Sequence, residues 1–256
     1  MTARHNLTSI KIHHCLIDTF LLIYKNLSYY FAIATFVSLC EIAAFLITRG
    51  NADALLASAV LMSWVIAGVI PFTAAACQGR KLAWRLFILP LKNFVRYFGY
   101  QVVQPLAAIL GIICAWIILA LFVKAVESML GRSLPGTELL LYLTTIGAGL
   151  YVLALCLFGP VLIVDRHCYI GEAAKTSMEV AVTAIWRASA LAMLASGATL
   201  SILWPMSANV GGLSLVLILA VADGPIRVWQ TCLLTVTYGK VFGFSESNDL
   251  EATKVG

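Results

Sequence analysis

Apolar positions along this chain run in long blocks rather than alternating with polar ones. Six blocks, at about 30–48, 54–76, 98–123, 139–164, 188–206 and 212–239, are each nearly unbroken. A bilayer core about 30 Å thick takes roughly 20 apolar residues of helix, so every block is long enough to cross it. Between the blocks, polar residues recur at helical spacing in three stripes: His14, Asp18 and Lys25; Lys81, Arg85, Lys92 and Arg96; and Glu172, Lys175, Thr176, Glu179, Thr183 and Arg187. Steps of three, four and seven place each stripe on one helix face. The opposite faces carry Leu16, Phe20 and Leu27; Trp84, Ile88 and Phe94; and Ala174, Met178 and Val182. Such helices lie in a membrane interface with the apolar side down. The first stripe also reads as the start of span one. The third is too polar to cross, since a charge near the bilayer centre costs about 2.5–3.5 kcal/mol.

The pattern predicts an all-α polytopic membrane protein. Six transmembrane helices form three pseudo-repeats, at about 13–77, 78–164 and 165–240, each an interfacial amphipathic helix followed by a helical hairpin. Residues 1–244 make a single membrane domain, and the polar tail 245–256 has the composition of a disordered segment. The second span of each unit carries a proline, Pro71, Pro160 and Pro225, where a kink is expected because proline lacks the N–H and crowds the preceding turn.

Composition agrees: 61% of residues are hydrophobic and only 11% are charged, against about 25% charged in a soluble domain. With both termini on one side, thirteen lysines and arginines fall on that face and three (Arg49, Lys124, Arg132) on the other. The positive-inside rule makes the first face cytoplasmic. The net charge of +5 therefore gathers where anionic lipid headgroups lie, and no polar domain is present to dock nucleic acid. The expected lipid contacts are Lys25, Arg80, Lys81, Arg85, Lys92, Arg96, Lys175 and Arg187. The N-terminal segment is not a cleavable signal peptide, because Asp18 and Lys25 interrupt its apolar run.

Three ionisable residues fall inside predicted spans. Glu41 and Arg227 each lie about 12 residues in, roughly 18 Å deep, and Asp223 precedes Arg227 by one turn. Intramembrane charge points to function. Two accounts stand: a midplane polar site at a broken helix, as in secondary transporters, or a structural ion pair closing spans one and six. Seven cysteines contain no CxxC pair, which argues against a disulfide framework. The clusters His13-His14-Cys15 and Arg166-His167-Cys168, with Cys77, have no standard metal spacing, so no metal and no cofactor is expected. No nucleotide-binding or hydrolase motif appears, and enzyme is the weakest class. Gly147, Gly149 and Gly159, with Gly211 and Gly212, permit close helix approach.

From Pro160 to Arg187 an apolar run ends at Asp165 and is followed by Glu172, Ala173, Ser177, Trp186 and Arg187. This stretch resembles the YciC-like and glycerophosphodiester-phosphodiesterase membrane-domain group of bacterial integral membrane proteins. Looser likeness extends to Thr19–Asn26 and to Tyr238-Gly239-Lys240. Asp165 stands where glutamate is usual in the group. The resemblance implies the membrane domain alone, without the catalytic domain of fused members, in a bacterial inner membrane. The resulting expectation is a non-catalytic scaffold or accessory subunit that organises a membrane complex or the surrounding anionic lipid, with a membrane-protein partner or a second copy. The alternative is a small transporter working through Glu41, Asp223 and Arg227.

Overall fold

In a computed structural model the described residues, which are 7–48, 52–87, 91–131, 136–195 and 212–245, are mostly helical and contain no strand. Within these, only the backbone is described at 41, 44–48, 52–59, 91–92 and 212–220. The helices are α1 (Ile12–Lys25), α2 (Leu27–Thr48), α3 (Ala52–Cys77), α4 (Leu91–Leu130), α5 (Thr137–Leu155), α6 (Gly159–Arg166), α7 (Ile170–Thr183), α8 (Ile185–Ala195) and α9 (Gly212–Phe242). Short 3-10 turns lie at Leu7–Ser9 and Trp84–Phe87. Three stretches are long and apolar enough to cross a membrane: Val60–Cys77, Asn93–Leu130 and Thr137–Arg166. The number rises to five if the bent pairs α1–α2 and α7–α8 each count as one span. The last predicted span coincides with α9, whose first nine residues are described by backbone alone.

Two of the three predicted amphipathic stripes fall on separate short helices, except that Arg187 of the third stripe lies past the end of α7, in α8. α1 meets α2 at 95°, and α7 meets α8 at 118°. Both corners are built the same way, with one residue ending a helix and starting the next. Asn26 donates its N–H to Ile23 O (3.1 Å) and its side-chain amide to Leu22 O (3.0 Å), while its own carbonyl accepts from Tyr29 and Tyr30. Ala184 donates to Ala181 O (3.1 Å) and its carbonyl accepts from Arg187 and Ala188. Each corner thereby satisfies helix-end groups that would otherwise be orphaned.

The second stripe differs. Lys81–Ala83 are not helical, Trp84–Phe87 form one 3-10 turn, and α4 begins at Leu91, so Lys81 and Arg85 share no helix with Arg96. By sequence alone, Pro90 disfavours a helix that runs unbroken from residue 84 into α4. Proline cannot donate to the carbonyl four residues back and biases its predecessor away from helix. The turn is instead held on α3, where Trp84 packs on Phe72 (6.3 Å) and on Tyr29 of α2 (5.4 Å).

The prolines also divide. Pro71 and Pro225 lie inside continuous helices, whereas Pro160 sits in the first turn of α6, beyond a break at Cys156–Phe158. In that position the missing N–H costs nothing. Ser177 mends the break, donating to Leu155 O (2.8 Å) and accepting from the Phe158 N–H (3.0 Å). In α9, Pro225 deprives Val221 O of its helical donor, and Ser38 of α2 supplies one at 2.8 Å.

α9 is the hub, packing on α1, α2, α3 and α6. At Gly224 an added Cβ would run into Ala34 O and Ser38 Oγ, so α2 and α9 approach backbone to backbone. At Gly159 it would enter the Tyr100 ring, whose hydroxyl donates to Cys156 O (3.0 Å). Gly149 faces Ile112 in the α4–α5 hairpin, whereas Gly147 faces open space; Gly211 lies outside the described residues and no side-chain environment is described at Gly212. The hairpin turns Leu106, Ile109, Leu110, Ile113, Ile117 and Leu121 outward, the surface a bilayer would solvate.

Candidate functional site

The chain's side-chain chemistry concentrates where the basic ends of the helices meet. α6 closes with Asp165 and Arg166, and the last turn of α9 brings Tyr238 against them. The Tyr238 hydroxyl donates to Asp165 Oδ2 (2.7 Å) and accepts from Arg166 Nε (2.9 Å). Arg166 Nη2 donates to the carbonyls of Phe242 (2.9 Å) and Gly243 (3.1 Å), and the Ser245 N–H reaches Asp165 at 3.2 Å. Asp165 is buried. A buried carboxylate persists when donors and a cation surround it, so this cluster fastens the end of α9 onto α6.

Two of the eight arginines and lysines expected to touch lipid are tied to backbone. Arg96 Nη1 donates to His167 O (2.7 Å), with its guanidinium 4.2 Å from the Tyr169 ring centroid. Arg187 Nη1 donates to Leu7 O (3.2 Å), Thr8 O and Ile10 O (2.9 Å), holding the N-terminal 3-10 turn against α8. A planar guanidinium suits carbonyls left open at turns, and these two are spent inside the protein. Lys25, Lys81, Arg85 and Lys175 are exposed, Arg80 is half-buried and engaged, and the Lys92 side chain is outside the described residues.

Of the three ionisable residues predicted to lie within spans, two are brought together. Asp223 is fully buried and its Oδ2 pairs with Arg227 one turn on, so Gly224-Pro225 does not unwind that face. Asp223 Oδ1 has no hydrogen-bond partner. The Glu41 side chain lies outside the described residues; its helix α2 crosses α9 at this level, through Ser38 and Val221. Gln101 donates to the Tyr97 hydroxyl (3.1 Å) within α4.

The histidine and cysteine clusters are dispersed. His13 and His14 are exposed on α1 while Cys15 is buried, and His167 Nδ1 pairs with the Asn93 amide (2.8 Å). Among the described residues no three of His, Cys, Asp and Glu are grouped to hold a metal. Burial first, then the nearby Glu172 carboxylate, push the Cys168 thiol up from its ordinary value, so it stays protonated at neutral pH.

A cleft opens between the start of the chain and the end of α9. About 550 Å³ in volume, it is lined by Ser9, Ile10, Lys11 and His14 at the start of the chain and by Gly239, Lys240 and Gly243 at the end of α9. Lys240 pairs with Asp18 of α1, which fixes one wall to the other.

No family model, curated protein or solved structure matches this chain. What the chain does must therefore be argued from its own geometry.

Sequence reasoning missed Tyr238 as the partner of Asp165, Ser38 as the donor to Val221 O, and the cleft. Only Ser38 left a signal. A proline in a membrane helix orphans the carbonyl four residues before it, and a hydroxyl on a neighbouring span is the usual remedy. The other two join residues far apart in sequence, with nothing local to mark them.

Proposed function

We propose that this protein is a non-catalytic integral membrane protein of six spans in three pseudo-repeats that organises anionic lipid, and through it a membrane assembly, on the cytoplasmic face of a bacterial inner membrane. One observation carries the reading. α1 and α7 turn by 95° and 118° from the helices that follow, and leave apolar side chains facing outward. On α1 these are Ile17, Phe20, Leu21 and Tyr24; on α7 they are Met178 and Val182. Helices set across the spans with outward apolar faces insert at the headgroup boundary, and the exposed Lys25, Lys81, Arg85 and Lys175 add roughly 1 kcal/mol each near an anionic surface. The test is lipid capture by the purified full chain in mixed vesicles. Exchanging those four residues for glutamate should abolish the preference for phosphatidylglycerol over phosphatidylcholine; an unchanged preference refutes the reading.

A second reading, transport through a midplane site, is favoured by the unpartnered Asp223 Oδ1 beside Arg227. A buried carboxylate oxygen without a donor is a place for a proton or a cation. Under this reading Asp223→Asn and Glu41→Gln stop proton or cation flux in proteoliposomes and leave the lipid preference intact.

A further inference from the structure

The cleft between the start of the chain and the end of α9 belongs neither to the lipid-facing surface nor to the midplane cluster. We infer that it is a binding site for one phosphate-bearing group, held by Lys11, His14 and Lys240. Its walls come from opposite ends of the sequence, with Ser9, Ile10, Lys11 and His14 on one side and Gly239, Lys240 and Gly243 on the other. A volume of about 550 Å³ lies within the usual range for small-ligand sites, roughly 300–1,000 Å³.

The charge in and around it is positive. Lys11 and Lys240 line it, Arg187 is bound to the carbonyl of the lining residue Ile10, and Arg166 to that of the lining residue Gly243. Against these four cations stand Asp18, paired with Lys240, and Asp165, hydrogen bonded to Tyr238. His14 adds a further donor.

Backbone groups reinforce the sign. α1 begins at Ile12 with Lys11 as its cap residue; the His14 N–H is taken by Lys11 O (3.0 Å), and no capping side chain covers the N–H groups of Ile12 and His13 beside the two basic side chains. The C-terminal end of α9 would repel an anion through its free carbonyls. Arg166 covers those of Phe242 and Gly243, which removes much of that repulsion. Lys11 is exposed and has no ion pair among the described residues, so it needs no rearrangement to engage a ligand. Phosphate, with two unesterified oxygens in a diester and three in a monoester, and with charge to match cations on separate elements, is the chemistry these donors fit.

The site rests on the lipid-organising reading only in its position at the membrane interface. Its phosphate has two sources, a phospholipid headgroup or a free phosphate ester, and the experiment separates them. Native mass spectrometry of the full chain, released from nanodiscs of phosphatidylcholine doped with phosphatidylglycerol, counts retained anionic lipid. In parallel, thermal unfolding in detergent is measured with glycerol phosphate added.

The wild type should keep one phosphatidylglycerol that survives delipidation, or be stabilised by glycerol phosphate. The Lys11→Ala/His14→Ala variant should lose that effect, binding about tenfold more weakly. Lys11→Glu should do the same and serves as the second variant should the double one fail to fold. Retained lipid without a glycerol phosphate response assigns the headgroup; the converse assigns the free ester. If neither probe separates wild type from the variants, the site is refuted. Reversing Lys25, Lys81, Arg85 and Lys175 should leave this single retained molecule in place while bulk lipid preference falls, so the two proposals fail independently.

Discussion

Ser38 and Pro225 make a coupled pair whose energetics follow from the geometry. Pro225 has no N–H, so the carbonyl of Val221, four residues earlier in α9, has no helical donor, and the Ser38 hydroxyl of α2 supplies one at 2.8 Å. Removing the hydroxyl by Ser38→Ala leaves that carbonyl without a hydrogen bond in an apolar setting. Hydrogen bonds between membrane helices average about 0.6 kcal/mol and reach about 1.7, while an orphaned buried acceptor costs about 1–3 kcal/mol. Ser38→Ala should therefore destabilise the protein by about 1–2 kcal/mol. Pro225→Ala restores the helical N–H at position 225, which satisfies Val221 O from within α9. In that background Ser38→Ala should cost close to nothing. The assay is a double-mutant cycle read by reversible unfolding in mixed micelles, with the coupling taken from the four midpoints. Equal cost of Ser38→Ala in both backgrounds would refute the reasoning, because the hydroxyl would then be serving something other than the proline's orphan.

Glycine substitutions should rank by what a Cβ meets: Gly224→Ala, against the backbone of α2, and Gly159→Ala, against the Tyr100 ring, should each cost about 1–3 kcal/mol, whereas Gly147→Ala meets nothing and should be neutral or slightly stabilising in the same unfolding assay. Arg187→Ala frees the carbonyls of Leu7, Thr8 and Ile10, and hydrogen exchange at residues 7–15 should accelerate while exchange in α9 does not. Tyr238→Phe leaves Asp165 without its hydroxyl donor and removes the hydroxyl that accepts from Arg166 Nε, so limited proteolysis should cut after Phe242 more readily than in the wild type. For Cys168, whose thiol is raised first by burial and then by Glu172, the thiolate forms only above the ordinary thiol range. Alkylation should accompany rising pH with a midpoint above that of a free thiol. Glu172→Gln, which keeps an acceptor for the Tyr169 N–H, should move that midpoint down; an unmoved midpoint would exclude the carboxylate as a cause.

The helical class of this protein was legible in the sequence, because unbroken apolar blocks of about 20 residues leave the backbone no solution in lipid other than helix; of the six predicted spans, three to five have helices long and apolar enough to cross. The stripe at 14–25 falls within α1, and that at 172–187 matches α7 only as far as Thr183, Arg187 belonging to α8 beyond the 118° corner. Pro90 should have cautioned against the stripe from Lys81 to Arg96, where a regular spacing outweighed the one residue that cannot continue a helix. The pairing of Asp223 with Arg227 was readable too, as an i, i+4 contact within one element. Tertiary structure alone decided the rest. Whether a basic side chain meets a carbonyl or stays exposed depends on where unrelated helix ends fall, and so Arg96 and Arg187 could not be told apart from Lys25 or Lys175 by sequence. The bond between Asp165 and Tyr238, and the cleft shared by Lys11 and Lys240, each join positions separated by most of the chain or a large part of it. Local pattern determines which segments become helices; only their packing determines which side chains meet.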